Sequence, residues 1–226
     1  MARLPVAAPV AVLVAGLAAG LGVPCWTDAR TAARYPVSVQ DLAAARAALD
    51  TIPVLGADPE DGYARERFGQ AWADVDGNGC DTRNDVLARD LTDVRLDPAG
   101  CVVLAGTLVD PYSGARIDFV RGPDSAQVQI DHVVALDDAW RTGAQAWSAG
   151  RRLAFANDPA NLLAVAGQAN QDKGAGDAAQ WLPPQSGYGC VYVVRQLRVK
   201  AAYGLWLTAG EHDAADRALR GCVVAR

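Results

Sequence analysis

The chain is 226 residues long, 51% apolar and 21% charged, with a formal net charge of −5. This is globular composition; no long polar tract, low-complexity run or internal repeat is visible, which argues against a disordered or solenoid protein. The negative balance also excludes a global field that would draw in nucleic acid, so any grip on a polyanion must be local.

Residues 1–24 carry one early Arg3 and then an apolar run rich in Ala, Val, Leu and Gly, with small residues around Ala18–Gly20. That pattern predicts a cleaved secretory leader. An uncleaved membrane anchor is the alternative, because the run approaches the roughly 20 residues a span needs. No Lys/Arg cluster marks a stop-transfer boundary. Residues 25–36 read as linker and 37–226 as one domain, long enough to bury a sizeable core. The five cysteines fit export. With two histidines and no C-x-x-C pair, they argue against a zinc knuckle. The expected disulfides are Cys80–Cys101 and Cys190–Cys222, other connectivities staying open. Cys25 is left over, and a lipid anchor there is a minor alternative because Pro24 is a poor predecessor.

In chain order, Ser38 or Asp41 can cap a helix carrying Leu42, Ala45, Leu49 and Ile52 at helical spacing, which Pro53 ends. A polar connection follows, then a short helical stretch expected to bury Phe68 and Trp72. In DVDGNGCDTRND, residues Asp74, Asp76, Asn78 and Asp85 fall at EF-hand ligand positions, so the loop is a candidate structural Ca²⁺ site. Asp81 at an apolar position and a short Asp at the last weaken the match, and the plainer reading is an Asx- and Gly-rich turn pinned by Cys80. Residues 84–94 are expected to be helical, with Val86, Leu87 and Leu91 on one side. The segment 101–120 predicts two strands joined at Asp110–Gly114. After a turn at Gly122–Asp124, an apolar β-branched strand ends at Asp131-His132. A helical stretch over 136–158 has Trp140, Trp147 and Leu153 as core anchors. NLLAV at 161–165 is the return strand, and QANQDKGAGDAAQWLPP, from Gln168, is a short helix running out at Trp181 and Pro183-Pro184. Two C-terminal helices close the chain.

Phosphodiester hydrolysis needs an activated water, positive charge on the non-bridging oxygens and stabilisation of the leaving oxygen. A neutral His is the natural base near neutral pH. Mg²⁺ takes oxygen ligands and keeps several waters, so one carboxylate and one amide carbonyl suffice from the protein. His132, Asp131 and Asn170 supply that set. Consecutive strand residues face opposite ways, so a twist or break at the strand end is expected to let Asp131 and His132 share a site. Lys173, one turn beyond Asn170, is placed to reach a phosphate. Arg83 and Arg89 are either phosphate contacts or partners of Asp85 and Asp90. The tryptophans Trp140, Trp147, Trp181 and Trp206 read as core, and His212 as an exposed helix residue.

Asp131-His132, Asn161 and Asn170-x-x-Lys173 together resemble the signature of the HNH, or ββα-metal (His-Me finger), nucleases. The run through IDHVVALDDAW, FANDPANLLAV and NQDKGAGD to WLPP resembles more closely the secreted HNH proteins grouped with GmrSD-type restriction endonuclease C-terminal domains. The likeness covers roughly residues 60–205 and is densest over 127–184. It implies an α+β fold built on a ββα-metal core with surrounding helices and a small antiparallel sheet, stapled by disulfides. It further implies His132 as general base and Asp131 and Asn170 as ligands of one divalent ion, Mg²⁺ first and Mn²⁺ or Ca²⁺ next. Asn161 would shape the loop orienting His132, and Lys173 would touch phosphate. The implied activity is endonucleolytic cleavage of DNA, with RNA as second substrate. No stable protein partner is implied, and no membrane beyond the leader. The rival reading is a non-catalytic extracellular Ca²⁺-binding or cell-wall module using residues 74–85.

Overall fold

The computed structural model describes residues 34–225. The predicted leader, Cys25 and most of the predicted linker lie outside the described residues. Among the described residues the fold is α+β, with seven α-helices around two small antiparallel sheets.

Helix α1 (Val39–Thr51) begins where Ser38 Oγ accepts from Asp41 N, and it ends at Ile52, before Pro53. Its buried Leu42, Ala45 and Leu49 pack into a core cluster with Tyr192, Val193, Leu197 and Leu219. Those partners lie on α6 (Gly189–Tyr203) and α7 (Ala209–Arg220), the two expected C-terminal helices. The Cys190–Cys222 disulfide staples the start of α6 to the end of α7.

Helix α2 (Thr82–Asp90) is capped by Asp81, whose Oδ1 accepts from Asn84 N at 2.8 Å. It stops sooner than its sequence pattern suggests. Thr92–Leu96 is instead strand β1, paired with β2 (Val103–Val109), which pairs in turn with β3 (Arg116–Val120). The missed signal is the turn after β1, where Asp97 Oδ1 accepts from both Cys101 N and Val102 N. An Asp-Pro-x-Gly turn marks a hairpin, and the edge of β2 overrides the helical spacing before it. The Cys80–Cys101 disulfide joins the loop before α2 to the end of that turn.

Strands β4 (Val128–His132) and β5 (Leu162–Ala166) form the second sheet, in continuous antiparallel register from Val128↔Ala166 to His132↔Leu162. The pairing runs unbroken to His132, so the break expected at the strand's last residue is absent. Between the strands lie α3 (Leu136–Arg141) and α4 (Ala149–Ala156), not one helical stretch. The interruption falls at Gly143, where φ is +130° and the Trp206 ring would crowd a Cβ. Ser148 then caps α4. Helix α5 (Gly167–Lys173) follows β5 without a loop. Gly167 is required at this junction, because a Cβ would collide with the Ala126 carbonyl oxygen.

Both faces of the β4–β5 hairpin are covered. Val128, Ile130, Leu162 and Ala164 pack with Val86, Leu87 and Phe119. Leu163 and Val165 pack on the opposite side with α1, α6 and Tyr112. The outer edge of β5 is closed by side chains rather than by a third strand. Ala164 N donates to Asp90 Oδ2 at 2.8 Å and Ala166 N to Asp110 Oδ1 at 3.0 Å. The Leu162 carbonyl accepts from Arg89 and Arg195, each at 2.6 Å. Arg89 also ion-pairs with Asp90, and Arg83 donates to the Val128 carbonyl. Both guanidiniums are therefore engaged in supporting the hairpin.

Asp110 is fully buried and also accepts from Ser113 N and the Ser113 hydroxyl. Asp110→Ala would strand these donors together with Ala166 N. The expected result is a loss of at least about 2 kcal/mol, since each buried unpaired donor costs roughly 1–3 kcal/mol. Urea unfolding with the disulfides intact measures it.

Candidate functional site

The end of β4 opens into a cleft of about 350 Å³ lined by Tyr63, Arg65, Asp131, His132, Asp137 and Asn170, among others. Three of the residues named by the resemblance, Asp131, His132 and Asn170, therefore border one cleft. Asp131 and His132 do so without any distortion of the strand. His132 turns toward Trp72 and Ala156, and Asp131 toward Tyr112 and Lys173. The cleft at the strand end is bordered by both.

His132 is 7% exposed. Its Nε2 lies 2.8 Å from the Ala156 carbonyl oxygen. A carbonyl only accepts, so Nε2 carries the proton in the neutral ring and Nδ1 keeps its lone pair. Burial pushes the imidazole down to about 3, and the charge of Arg65 adds to the fall. At neutral pH the ring is thus a neutral acceptor at Nδ1. The Trp72 indole lies nearly parallel to it, with ring centroids 6.2 Å apart. Trp72 holds a φ of 59°, a conformation that costs a non-glycine residue about 1–2 kcal/mol.

Asn161, fully buried, fixes the chain just beyond His132. Its backbone carbonyl accepts from Val133 N at 2.8 Å, its Oδ1 from Val134 N at 2.8 Å, and its Nδ2 donates to Val134 O at 3.1 Å. That is the geometry its expected orienting role needs.

Asp131 is 4% exposed and carries a hydrogen bond on each oxygen. Lys173 Nζ donates to Oδ1 at 2.8 Å, and the Tyr112 hydroxyl donates to Oδ2 at 2.5 Å. Burial pushes the Asp131 carboxyl up, and Lys173 pulls it back. Each carboxylate oxygen retains a second lone pair. Asn170 donates from Nδ2 to Gln129 Oε1 at 2.9 Å, so the oriented amide leaves Oδ1 for the cleft. Asp137 was not singled out in the sequence. It borders the cleft, and its Oδ1 is buried with no hydrogen-bond partner among the described residues. Hard oxygens plus one orphaned carboxylate oxygen fit Mg²⁺ or Mn²⁺ and not a soft ion.

Lys173 departs from its expected role. Its side chain has no exposure, and Nζ bonds both Asp131 and the His132 carbonyl, each at 2.8 Å. It clamps the carboxylate and the base's backbone and does not border the cleft. Arg65 is the cation that does. Sequence reading also missed Tyr112, taken as a turn residue; an aromatic at the centre of a five-residue polar turn was the available signal.

The 74–85 loop closes on itself as an Asx turn. Asp74 accepts from Gly77, Asn78 and Gly79 N, and Asn78 donates its amide to Asp76 and Asp85. Asn78 Oδ1 accepts from Cys80 N. Asp74, Asp76 and Asp85 do not bring three carboxylate oxygens within metal-binding distance of one another. Among the described residues one trio does, Asp138, Asp177 and Glu211. There the buried Lys200 ammonium is already the cation, 3.0 Å from Asp138 and 2.8 Å from Glu211. Burial lifts the Glu211 carboxyl to about 7 despite Lys200.

An α+β chain whose strand–strand–helix unit brings an imidazole, two carboxylates and an amide to one cleft offers a base and hard oxygen donors together. Residues 81–214 match the family described as GmrSD restriction endonucleases, C-terminal domain, and the chain belongs to that family. An uncharacterized secreted protein of Arthroderma benhamiae is 36% identical over 189 residues, covering 83% of this chain and 89% of the relative. No solved structure matches. Among the described residues no helix is long and apolar enough to cross a membrane.

Two measurements test the site's electrostatics. Lys173→Met would leave Asp131 buried and unpaired by charge, at an expected cost of about 3–5 kcal/mol, and the double variant with Asp131→Asn should recover part of it. For His132, the unfolded ring takes its proton near 6.5 and the folded ring near 3. The unfolded state therefore binds the extra proton in between, and stability falls as pH drops through that window. His132→Asn should flatten this fall in chemical unfolding curves.

Proposed function

We propose that the chain is an exported, metal-dependent endonuclease that hydrolyses phosphodiester bonds of DNA, with RNA as a second substrate. The observation that carries the reading is the state of His132: a neutral imidazole, held by Ala156 O through Nε2, with Nδ1 free beside a cleft of oxygen donors. Export is supported by the leader pattern, the two disulfides and the relative described as secreted.

In this reading His132 Nδ1 takes the proton of a water in the cleft as its oxygen attacks phosphorus, the P–O bond to the leaving oxygen breaks, and that oxygen takes a proton from solvent. Asn161 holds the backbone past the base, and the ring cannot turn without breaking its bond to Ala156. Asp131, Asn170 and Asp137 would hold a divalent ion, which when bound supplies charge neutralisation at the phosphate and the leaving oxygen. Tyr112 and Lys173 orient Asp131, the supporting arrangement that fixes a metal-binding carboxylate. Burial keeps the base unprotonated across the neutral range.

Supercoiled plasmid incubated with Mg²⁺ should be nicked and then linearised, and EDTA should stop it. His132→Ala should lower the rate by at least about 10²-fold, the usual span of general-base catalysis. Its thermal midpoint should stay close to wild type. A His132→Ala protein that nicks at the wild-type rate refutes the assignment.

A further inference from the structure

With Lys173 buried, the proposed reaction still needs a cation for the phosphate, and the whole protein is acidic. We propose that Arg65, continued by Arg67 on the same short helix, is the phosphate-binding rail of the cleft. It would grip the backbone of a nucleic-acid strand at the scissile phosphate and beyond. The inference rests on the nuclease reading for its substrate class. Both residues lie upstream of the matched 81–214 segment.

The 3₁₀ helix Arg65–Phe68 is a firm base. Phe68 is 1% exposed and packs with Trp140 and Phe155, and the Arg67 carbonyl accepts from Arg152 Nε at 2.9 Å. Gly69, at φ +84°, fits closely against Leu153. At three residues per turn, side chains two positions apart point about 120° from each other. Arg65 accordingly borders the cleft, while the Arg67 guanidinium sits 5.5 Å from the Trp140 ring.

Arg83, Arg89, Arg121, Arg141, Arg151, Arg152 and Arg195 all donate to backbone carbonyls. Arg198 and Arg220 pair with carboxylates. Both Arg65 and Arg67 are exposed, and among the described residues neither guanidinium has an ion pair or a hydrogen-bond acceptor. Arg46, Arg95 and Arg217 likewise show no partner among the described residues, so what sets Arg65 apart is that its free head borders the cleft. A planar fork with unused donors, next to a base that needs a phosphate in place, suits bidentate capture of a phosphodiester.

The test is binding without cleavage. A short fluorescein-labelled DNA duplex and its single strand are titrated in EDTA with wild type, Arg65→Gln, Arg67→Gln and the double variant, across a range of sodium chloride. Anisotropy should show affinity falling about tenfold at low salt for Arg65→Gln. The slope of log K against log salt should shrink by about 0.9 for each arginine removed. The melting temperature should not move for Arg65→Gln, whose head has no intramolecular partner, and should fall slightly for Arg67→Gln, which loses its contact with the Trp140 ring. A double variant with wild-type affinity and slope overturns the rail, as does a wild-type protein that binds neither probe. A wild type that binds through these arginines but never cuts plasmid with Mg²⁺ sinks the nuclease reading and leaves the rail standing.

Discussion

The Lys173 ammonium, buried between the Asp131 carboxylate and the His132 carbonyl, is the interaction on which the remaining structure depends. Taking two charges out of water costs several kcal/mol per ion unless their geometry and further hydrogen bonds compensate. Here the compensation is built from three separate segments. Lysine comes from the last turn of α5, the carboxylate from β4, and the second donor, Tyr112, from the turn between β2 and β3. Tyr112 is set in place by Asp110, whose other bonds reach Ser113 and the edge of β5. One ion pair thus ties both sheets and a helix together at the mouth of the cleft.

The same economy explains how a two-stranded sheet survives. A lone hairpin is marginal in water, and an open edge is a site for wrong pairing. Here apolar clusters cover both faces, and Asp90, Asp110, Arg89 and Arg195 occupy the free groups of β5. Those four side chains come from α2, the β2–β3 turn and α6. Elements that read as mere packing in the sequence therefore act on the hairpin directly, through its backbone. The disulfides lie outside this unit, on the α2–β2 junction and on the C-terminal helix pair. They hold its support in place while the bonds within it do the local shaping.

Much of this was legible in the sequence, for reasons that particular residues make plain. Ser38 and Pro53 bracket α1, the β-branched run ends at His132, and the polar triplet of Asp131, Asn161 and Asn170 keeps its order along one short unit. Those are local signals. What escaped is what only tertiary packing decides. The helical spacing of 84–94 gave way at Leu91 because β2 offered an edge to Thr92–Leu96. Lys173 has the right offset from Asn170 to face outward to a phosphate, but helix spacing does not say that α5 lies flat on β4 with Asp131 beneath it. Arg65 enters the cleft from a short turn of helix that no motif marks, and Asp137 from inside the run IDHVVALDDAW, which gives it no role of its own. The Asp-rich loop at 74–85 matched a ligand spacing, yet its backbone N–H groups were satisfied by the same carboxylates that the spacing reserved for a cation.

The use of lysine carries the argument one step further. The chain has only two, Lys173 and Lys200, and both are wholly buried. Each ammonium is a compact charge that meets two or three acceptors at close range, Lys200 bonding Asp138, Glu211 and the Trp206 carbonyl. Its small size suits a site enclosed on all sides. Arginine is then left with every cationic task at the surface, and seven of its planar forks are engaged by carbonyls of the fold. The distribution sorts cations by geometry, with ammonium for point compensation inside and guanidinium for broad hydrogen bonding outside. In a protein of net charge −5, a polyanion would meet attraction only where a guanidinium is left without an internal partner. Attraction set by a few free heads is short-ranged and screened within about 10 Å at moderate salt. It would therefore orient a strand once it arrives, and would do little to draw one in from a distance.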